Sequence, residues 1–282
     1  MIHPDARVTR VRVGHDDVSA HDTGAPDDPR APIVLVHGTG GTTRGHFETV
    51  YPLLAQHHRV IGIDLATPAG ARLDVSDLGD QVLAVLRDRS PARPAHLVGY
   101  SLGAVVAAEV AAREPLAVES LVLLAGWVRT DNQQRLRNDL WHALRSLDDD
   151  GDALARFRVF TAHGQPYLSR RSAAQIEELV TARRPQRIPP EVMDLNRRVD
   201  LTAVLGAIQA PTLVVGAIHD QMVPFQHAER MLGAIADARL AAVSSGHAMT
   251  IERPAQIASL VLDFVASPRA RPAGSVLPAL TV

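Results

Sequence analysis

The chain has 282 residues, 46% of them hydrophobic and 21% charged, with a net charge of −2 at pH 7. This balance is typical of a soluble globular protein and argues against bulk binding to nucleic acid or to a membrane surface. There is no cysteine and no lysine, which excludes disulfides, thiol catalysis, cysteine-ligated metals and catalytic lysines. We expect a cytoplasmic protein, because we find no signal peptide and no apolar stretch of about 20 residues. All 29 lysine or arginine positions are arginine, which suggests a bacterial genome rich in GC.

Apolar runs separated by turn-rich stretches predict alternating strands and helices over the first 126 residues. A wholly apolar run such as 33–36 is typical of a strand buried on both faces, whereas 77–87 places its apolar residues on one side of a helix. The predicted strands lie at 8–13, 18–23, 33–36, 59–64, 95–98 and 120–125, and the predicted helices at 47–56, 77–87 and 104–112. This order predicts an α/β fold with a mostly parallel sheet covered by helices on both faces.

Residues 127–205 have a different character: they contain no buried-strand run and are polar, arginine-dense and broadly helical. We interpret them as a helical cap inserted into a core formed by residues 1–126 and 206–267. The alternation resumes in that second core segment, with strands predicted at 212–216 and 238–243 and helices at 224–236 and 254–266. Residues 268–282, rich in proline, alanine and glycine, are predicted to form a flexible tail.

The motif G-x-S-x-G occurs once in the context that its chemistry requires. Gly99, Ser101 and Gly103 stand between a predicted strand and a predicted helix. A serine at the tip of such a turn is held with its hydroxyl exposed, and the two glycines let strand and helix pass close together. Ser101 is therefore the candidate nucleophile.

A serine hydroxyl needs a base to take its proton and an acid to orient that base. His247 follows the last predicted core strand, and Asp220 follows the strand before it. Both lie in loops after strand ends, where chemistry gathers in parallel sheets. The chain order Ser, Asp, His is the one that G-x-S-x-G enzymes use. An acid can instead follow the 120–125 strand, but the first carboxylate there is Asp131, which favours Asp220.

A glycine-rich loop, His37-Gly38-Thr39-Gly40-Gly41, follows the strand at 33–36. Backbone N–H groups in such a loop can stabilise the negative oxygen of a tetrahedral intermediate. We assign the two oxyanion donors to the N–H groups of Thr39 and Leu102, with His37, Gly38 and Gly40 as the supporting loop. The rival interpretation is a nucleotide site. The G-x-G-x-x-G pattern of a dinucleotide site fails, and the absence of G-K-[ST] excludes a P-loop. Asp64, which ends the next strand, is better explained as ordering nearby loops.

These motifs, in this order, resemble the α/β-hydrolase superfamily. The resemblance covers residues 33–126 and 211–266, and it implies an eight-stranded sheet with a helical cap between strands six and seven. It also implies that no cofactor and no metal are needed. Among its branches the chain is most similar to small bacterial esterases, enol-lactonases, cofactor-free haloperoxidase-like enzymes, C–C bond hydrolases and editing thioesterases.

The sequence therefore predicts a serine hydrolase that acts on a small molecule, cleaving an ester, lactone, thioester or C–C bond. Two alternatives stay open: a non-hydrolytic acyltransferase, lyase or cyclase of secondary metabolism on the same fold, and a binding protein that has lost activity. The cap holds 13 of the 29 arginines but also 11 acidic residues, so we predict that most form a solvated surface. One or two could face the pocket and bind an acidic substrate.

Overall fold

The computed structural model describes residues 2–24, 30–67, 70, 72–147, 151–184 and 188–277. These residues form nine strands: β1 (Arg7–Val13), β2 (Asp16–Asp22), β3 (Ile33–Val36), β4 (Val60–Asp64), β5 (Ala95–Tyr100), β6 (Val118–Leu124), β7 (Thr212–Ala217), β8 (Ala238–Val243) and β9 (Val276–Leu277). Their helices are α1 (Thr43–Phe47), α2 (Val50–Ala55), α3 (Val75–Arg89), α4 (Leu102–Arg113), α5 (Asn132–Leu147), α6 (Asp152–Ala162), α7 (Gln165–Leu168), α8 (Ala173–Arg183), α9 (Pro190–Arg198), α10 (Gln226–Ala234), α11 (Met249–Glu252) and α12 (Pro254–Ala266).

The strands form one sheet in the order β1-β2-β4-β3-β5-β6-β7-β8-β9. β2 is antiparallel to both β1 and β4, and every pairing from β4 to β9 is parallel. The predicted α/β fold with a mostly parallel sheet is therefore confirmed. Because β3, β5, β7 and β8 run in the same direction, the loops that follow them meet at one edge of the sheet.

Successive side chains of the buried strands point to opposite faces of the sheet, which divides the core into two apolar layers. In β3, Val34 and Val36 pack into the layer beneath α3, α4 and α10, whereas Ile33 and Leu35 pack into the layer beneath α1, α2, α11 and α12. All four side chains are fully buried. The wholly apolar runs in the sequence thus follow from a sheet that is covered on both faces.

The helix predicted at 47–56 is confirmed in part: α2 lies within that range, but residues 48–49 separate it from a further short helix, α1. Thr42 caps α1, because its hydroxyl accepts the N–H of Gly45 at 3.0 Å. Pro52 lies in α2, and a proline ring clashes with the carbonyl four residues earlier, here that of Glu48. A continuous helix through residues 48–49 is therefore disfavoured.

The predicted count of eight strands is one short, because part of the predicted tail forms β9. Leu240 donates its N–H to the carbonyl of Ser275, and Gly274 donates to that of Ala238. Buried Arg239 also donates to the Arg271 carbonyl at 2.8 Å. Backbone bonds of this kind have no signature in the apolar pattern, so residues up to 277 differ from the expected flexible tail. Residues 278–282 lie outside the described part of the chain.

The helices α5–α9 lie between β6 and β7, where the helical cap was predicted. The ends of this insertion pair with each other: Thr130 donates its N–H to Val199, and Leu201 donates to Val128. The helix breaks predicted at 148–152 and 184–190 agree with the helix ends, since α5 ends at 147, α6 begins at 152, α8 ends at 183 and α9 begins at 190. Residues 148–150 and 185–187 lie outside the described part. In the described ranges no helix is long and apolar enough to cross a membrane.

Candidate active site

Ser101 stands on the sharp turn between β5 and α4. Its backbone has φ 56° and ψ −120°, a conformation that costs a non-glycine residue on the order of 1–3 kcal/mol. A Cβ at Gly99 would overlap the backbone of Gly103, and one at Gly103 would overlap the carbonyl oxygen of Val36. Strand and helix therefore pass too close for a larger residue at either position.

The glycine-rich loop after β3 packs directly against the serine. A Cβ on Gly38 would lie 2.9 Å from the Cβ of Ser101. Thr39 lines the same cavity as Ser101, and Leu102 begins α4, where N–H groups have no partner inside the helix. Within the described ranges no acceptor is placed against the N–H of Thr39 or that of Leu102. These are the two N–H groups that the sequence predicts as oxyanion donors.

The three side chains predicted for catalysis lie together. His247 Nε2 is 2.9 Å from Ser101 Oγ, and His247 Nδ1 is 2.7 Å from Asp220 Oδ2. They follow β5, β7 and β8, so the sheet edge brings together residues that are far apart in sequence. All three are buried. With Nδ1–H donating to the carboxylate, Nε2 is the nitrogen that can accept the serine proton.

Further hydrogen bonds fix the acid and the base. Asp220 Oδ1 accepts the N–H groups of Met222 at 2.7 Å and Val223 at 2.8 Å, so both carboxylate oxygens are engaged. The Tyr100 hydroxyl donates to the carbonyl of His247 at 2.9 Å. These contacts hold the Asp220 carboxylate and the loop that carries His247 in one orientation.

Asp131, the other acid considered from the sequence, lies in a different environment. Its Oδ2 is 3.1 Å from Nε2 of His227. Burial lowers the pKa of His227, although the nearby carboxylate opposes this. Asp131 therefore holds a buried histidine outside the serine site, which is consistent with the choice of Asp220.

Two neutral histidines hold the glycine loop in place. His37 Nδ1 donates to the Gly38 carbonyl at 2.8 Å, and its Nε2 accepts the N–H of Leu65 at 3.0 Å. His46 Nδ1 accepts the N–H of Gly38 at 3.0 Å. Burial lowers the pKa of His37, and burial and neighbouring positive charges lower the pKa of His46 well below its usual range. Sequence reasoning missed His46, because no pattern distinguishes it among 13 histidines.

Asp64 orders the loops around the glycine-rich turn. Its Oδ1 accepts the N–H of Thr43 at 2.6 Å, and its Oδ2 is 3.0 Å from His21 Nε2. Burial would raise the pKa of Asp64, but these hydrogen bonds outweigh it and lower the pKa to about 2. Both oxygens have protein partners, which agrees with the structural interpretation rather than with a nucleotide site.

A cavity of about 100 Å³ adjoins Ser101 and His247. Side chains from the inserted helices line it, among them the aromatic Trp141 and Phe157. Three arginines line it too, namely Arg137, Arg158 and Arg183. In the described ranges no group of three or more histidine and carboxylate side chains is placed to hold a metal ion.

Glu252 joins the inserted helices to the loop that carries His247. Its side chain is 3% exposed, and Oε1 lies 3.1 Å from His163 Nδ1 and 2.9 Å from the N–H of Gly164. Oε2 accepts the N–H of Gly246 at 2.9 Å. Sequence reasoning missed this carboxylate, because His163 and Gly164 lie 89 and 88 positions before it in the chain.

Comparison with known proteins gives one consistent family. The chain matches the Alpha/beta hydrolase family over residues 33–260. It is 28% identical to pyrrolizixenacetamide deacetylase from Xenorhabdus hominickii, over 92% of this chain and 98% of that one. It is also 28% identical to the putative carbamate hydrolase RutD from Variovorax paradoxus, covering 87% and 95%. The enol-lactonase structure from Burkholderia xenovorans LB400 superposes with a TM-score of 0.77 at 20% identity, covering 92% and 100%.

Proposed function

This chain belongs to the alpha/beta hydrolase family, and we propose that it is a serine hydrolase that cleaves an acyl bond of a small molecule through an acyl-enzyme intermediate. The observation that carries the proposal is the continuous hydrogen-bonded path from Ser101 through His247 to Asp220. The bond classes are esters, lactones and thioesters. Amides and carbamates join them, because two relatives are named pyrrolizixenacetamide deacetylase and putative carbamate hydrolase RutD.

The first half of the reaction acylates the serine. His247 Nε2 takes the hydroxyl proton as Ser101 Oγ attacks the carbonyl carbon, and Asp220 stabilises the imidazolium that forms. The carbonyl oxygen becomes negative, and the N–H groups of Thr39 and Leu102 bind it. When the intermediate collapses, the bond to the leaving group breaks and His247 gives that group its proton.

The second half regenerates the enzyme. His247 Nε2 takes a proton from water, whose oxygen attacks the acyl carbon and forms a second oxyanion. The bond to Ser101 Oγ then breaks, and His247 returns the proton to the serine. Loss of one oxyanion donor typically lowers such a rate on the order of 100- to 1000-fold.

Acyl transfer to another acceptor is a second candidate, favoured by the inserted helices that line the cavity over the serine. A covered acyl-enzyme can exclude water and react with an alcohol or thiol instead. A lyase or cyclase reaction would use the same residues without net hydrolysis.

Stopped-flow kinetics with p-nitrophenyl acetate tests the proposal. We expect a burst of one nitrophenolate per chain, absent in Ser101→Ala and retained in Ser259→Ala, which changes an exposed serine. Product analysis with and without added alcohol or thiol distinguishes hydrolysis from transfer. A full burst from Ser101→Ala would contradict the assignment.

A further inference from the structure

Two hydrogen-bond donors that helix α5 contributes to the cavity lining face no acceptor in the described part of the chain. Nε of Arg137 and Nε1 of Trp141 are both buried, and neither has a hydrogen-bond partner among these residues. The two residues are four positions apart, which places them on one side of the helix, and both line the cavity beside Ser101. The Trp141 side chain is held by Arg145, whose guanidinium carbon lies 5.4 Å from the ring centroid.

The surrounding charge is positive. Arg158 on α6 and Arg183 on α8 line the same cavity, and no aspartate or glutamate is among the described lining residues. The nearby Asp220 has both oxygens engaged by His247 and by backbone N–H groups. Burial lowers the pKa of Arg137 to about 10, and burial together with Arg183 does the same for Arg158, so both stay charged at pH 7.

The positions of the two residues on α5 explain why Arg137 is directed to the cavity and Arg135 is not. Gln133, one turn earlier on the same side, donates to the carbonyl of Gln221 at 3.1 Å, so this side packs towards the Asp220 loop. Arg135, two residues away, is exposed. The solvated surface predicted for the cap arginines therefore does not include Arg137.

We propose that the cavity selects substrates that carry a carboxylate, which Arg137 and the indole N–H of Trp141 bind. A carboxylate offers two acceptor oxygens, and charge-assisted bonds from a guanidinium are about twice as strong as neutral ones. Arg158 and Arg183 add positive charge. This specificity rests on the proposed function, because it concerns the substrate of the Ser101 site.

Matched esters test the proposal. The first pair is mono-p-nitrophenyl adipate and p-nitrophenyl 6-methylheptanoate, which differ only in a carboxylate or an isopropyl group at the end of the acyl chain. The second pair, 4-carboxyphenyl acetate and 4-isopropylphenyl acetate, places the same difference in the leaving group. Each is assayed with wild type, Arg137→Gln, Arg137→Lys, Trp141→Phe and the control Arg135→Gln.

In at least one pair, we expect wild type to prefer the acid by tenfold or more in kcat/KM. Arg137→Gln should remove that preference, because its loss in kcat/KM should be at least tenfold larger for the acid than for the neutral ester. Arg137→Lys should restore part of the preference, Trp141→Phe should reduce it severalfold, and Arg135→Gln should match wild type. A preference for the neutral ester in both pairs, or equal losses for acid and neutral esters in Arg137→Gln, would overturn the proposal.

Calorimetric binding of the same esters to Ser101→Ala separates this proposal from the proposed function. Arg137-dependent binding of an acid ester without turnover by wild type would support the carboxylate site and contradict the hydrolase. Turnover of neutral esters with no Arg137-dependent binding of either acid would leave the hydrolase intact and refute the carboxylate site.

Discussion

Replacing Glu252 by glutamine should loosen the junction between the inserted helices and the His247 loop. The carboxylate accepts three N–H groups, those of His163, Gly164 and Gly246. A glutamine amide offers one oxygen and places an NH₂ donor against a donor on the other side. At least one buried N–H therefore loses its acceptor.

The magnitude follows from those contacts. A hydrogen bond to a charged group contributes about 1.5–3 kcal/mol, and a donor left buried adds to the loss, so we expect Glu252→Gln to destabilise the protein by roughly 2–4 kcal/mol. For a chain of this size that corresponds to a fall in Tm of about 3–7 °C. Because Gly246 precedes His247, kcat/KM for p-nitrophenyl acetate should fall about tenfold or more even well below Tm.

Differential scanning calorimetry and steady-state kinetics measure the two effects. Glu178→Gln is the matched control, since it makes the same chemical change at an exposed position of α8. The control should change the free energy of unfolding by less than about 0.5 kcal/mol. The reasoning would be refuted if Glu252→Gln melted within 1 °C of the control and retained wild-type kcat/KM.

Three further predictions concern the site and the core. A Cβ on Gly246 would overlap the backbone of Gly164, so Gly246→Ala should lower both Tm and kcat. The control Gly233→Ala has open space around its new Cβ. It should leave kcat unchanged and raise the free energy of unfolding by up to about 1 kcal/mol. Equal effects in the two alanine variants would contradict this packing. Asp220→Asn should lower kcat on the order of 10³- to 10⁴-fold with unchanged circular dichroism, and a loss below tenfold would place the acid elsewhere. Burial lowers the pKa of His96 to about 4, so protonation favours the unfolded chain. The free energy of unfolding is therefore at its full value above pH 6.5 and falls by about 2 kcal/mol by pH 5. In urea titrations His96→Gln should lose less stability over that range, and an unchanged pH dependence would refute this.

The elements that the sequence predicted well are those whose signal is local. The helix predicted at 254–266 coincides with α12, and the strand at 238–243 coincides with β8. The predicted nucleophile Ser101 lies on the strand-to-helix turn that its flanking glycines indicated. In each case the spacing of apolar residues within a short segment, or a pair of glycines, predicts the element.

What the sequence did not reveal depends on contacts between distant segments. Glu252 reaches His163 across the junction between α11 and the inserted helices, and His46 supports a loop that precedes it by several residues. Arg137 differs from Arg135 only in which side of α5 faces the cavity. That orientation is set by how the insertion packs on the sheet, which no periodicity in α5 alone specifies.

Mass spectrometry after reaction with a small fluorophosphonate tests the central claim most directly, because the reagent bonds only to an activated nucleophile. The account predicts one adduct per chain, located on Ser101, absent in Ser101→Ala and formed at least about 100-fold more slowly in His247→Gln. An unmodified wild-type chain, or a stoichiometric adduct on any other residue, would contradict it.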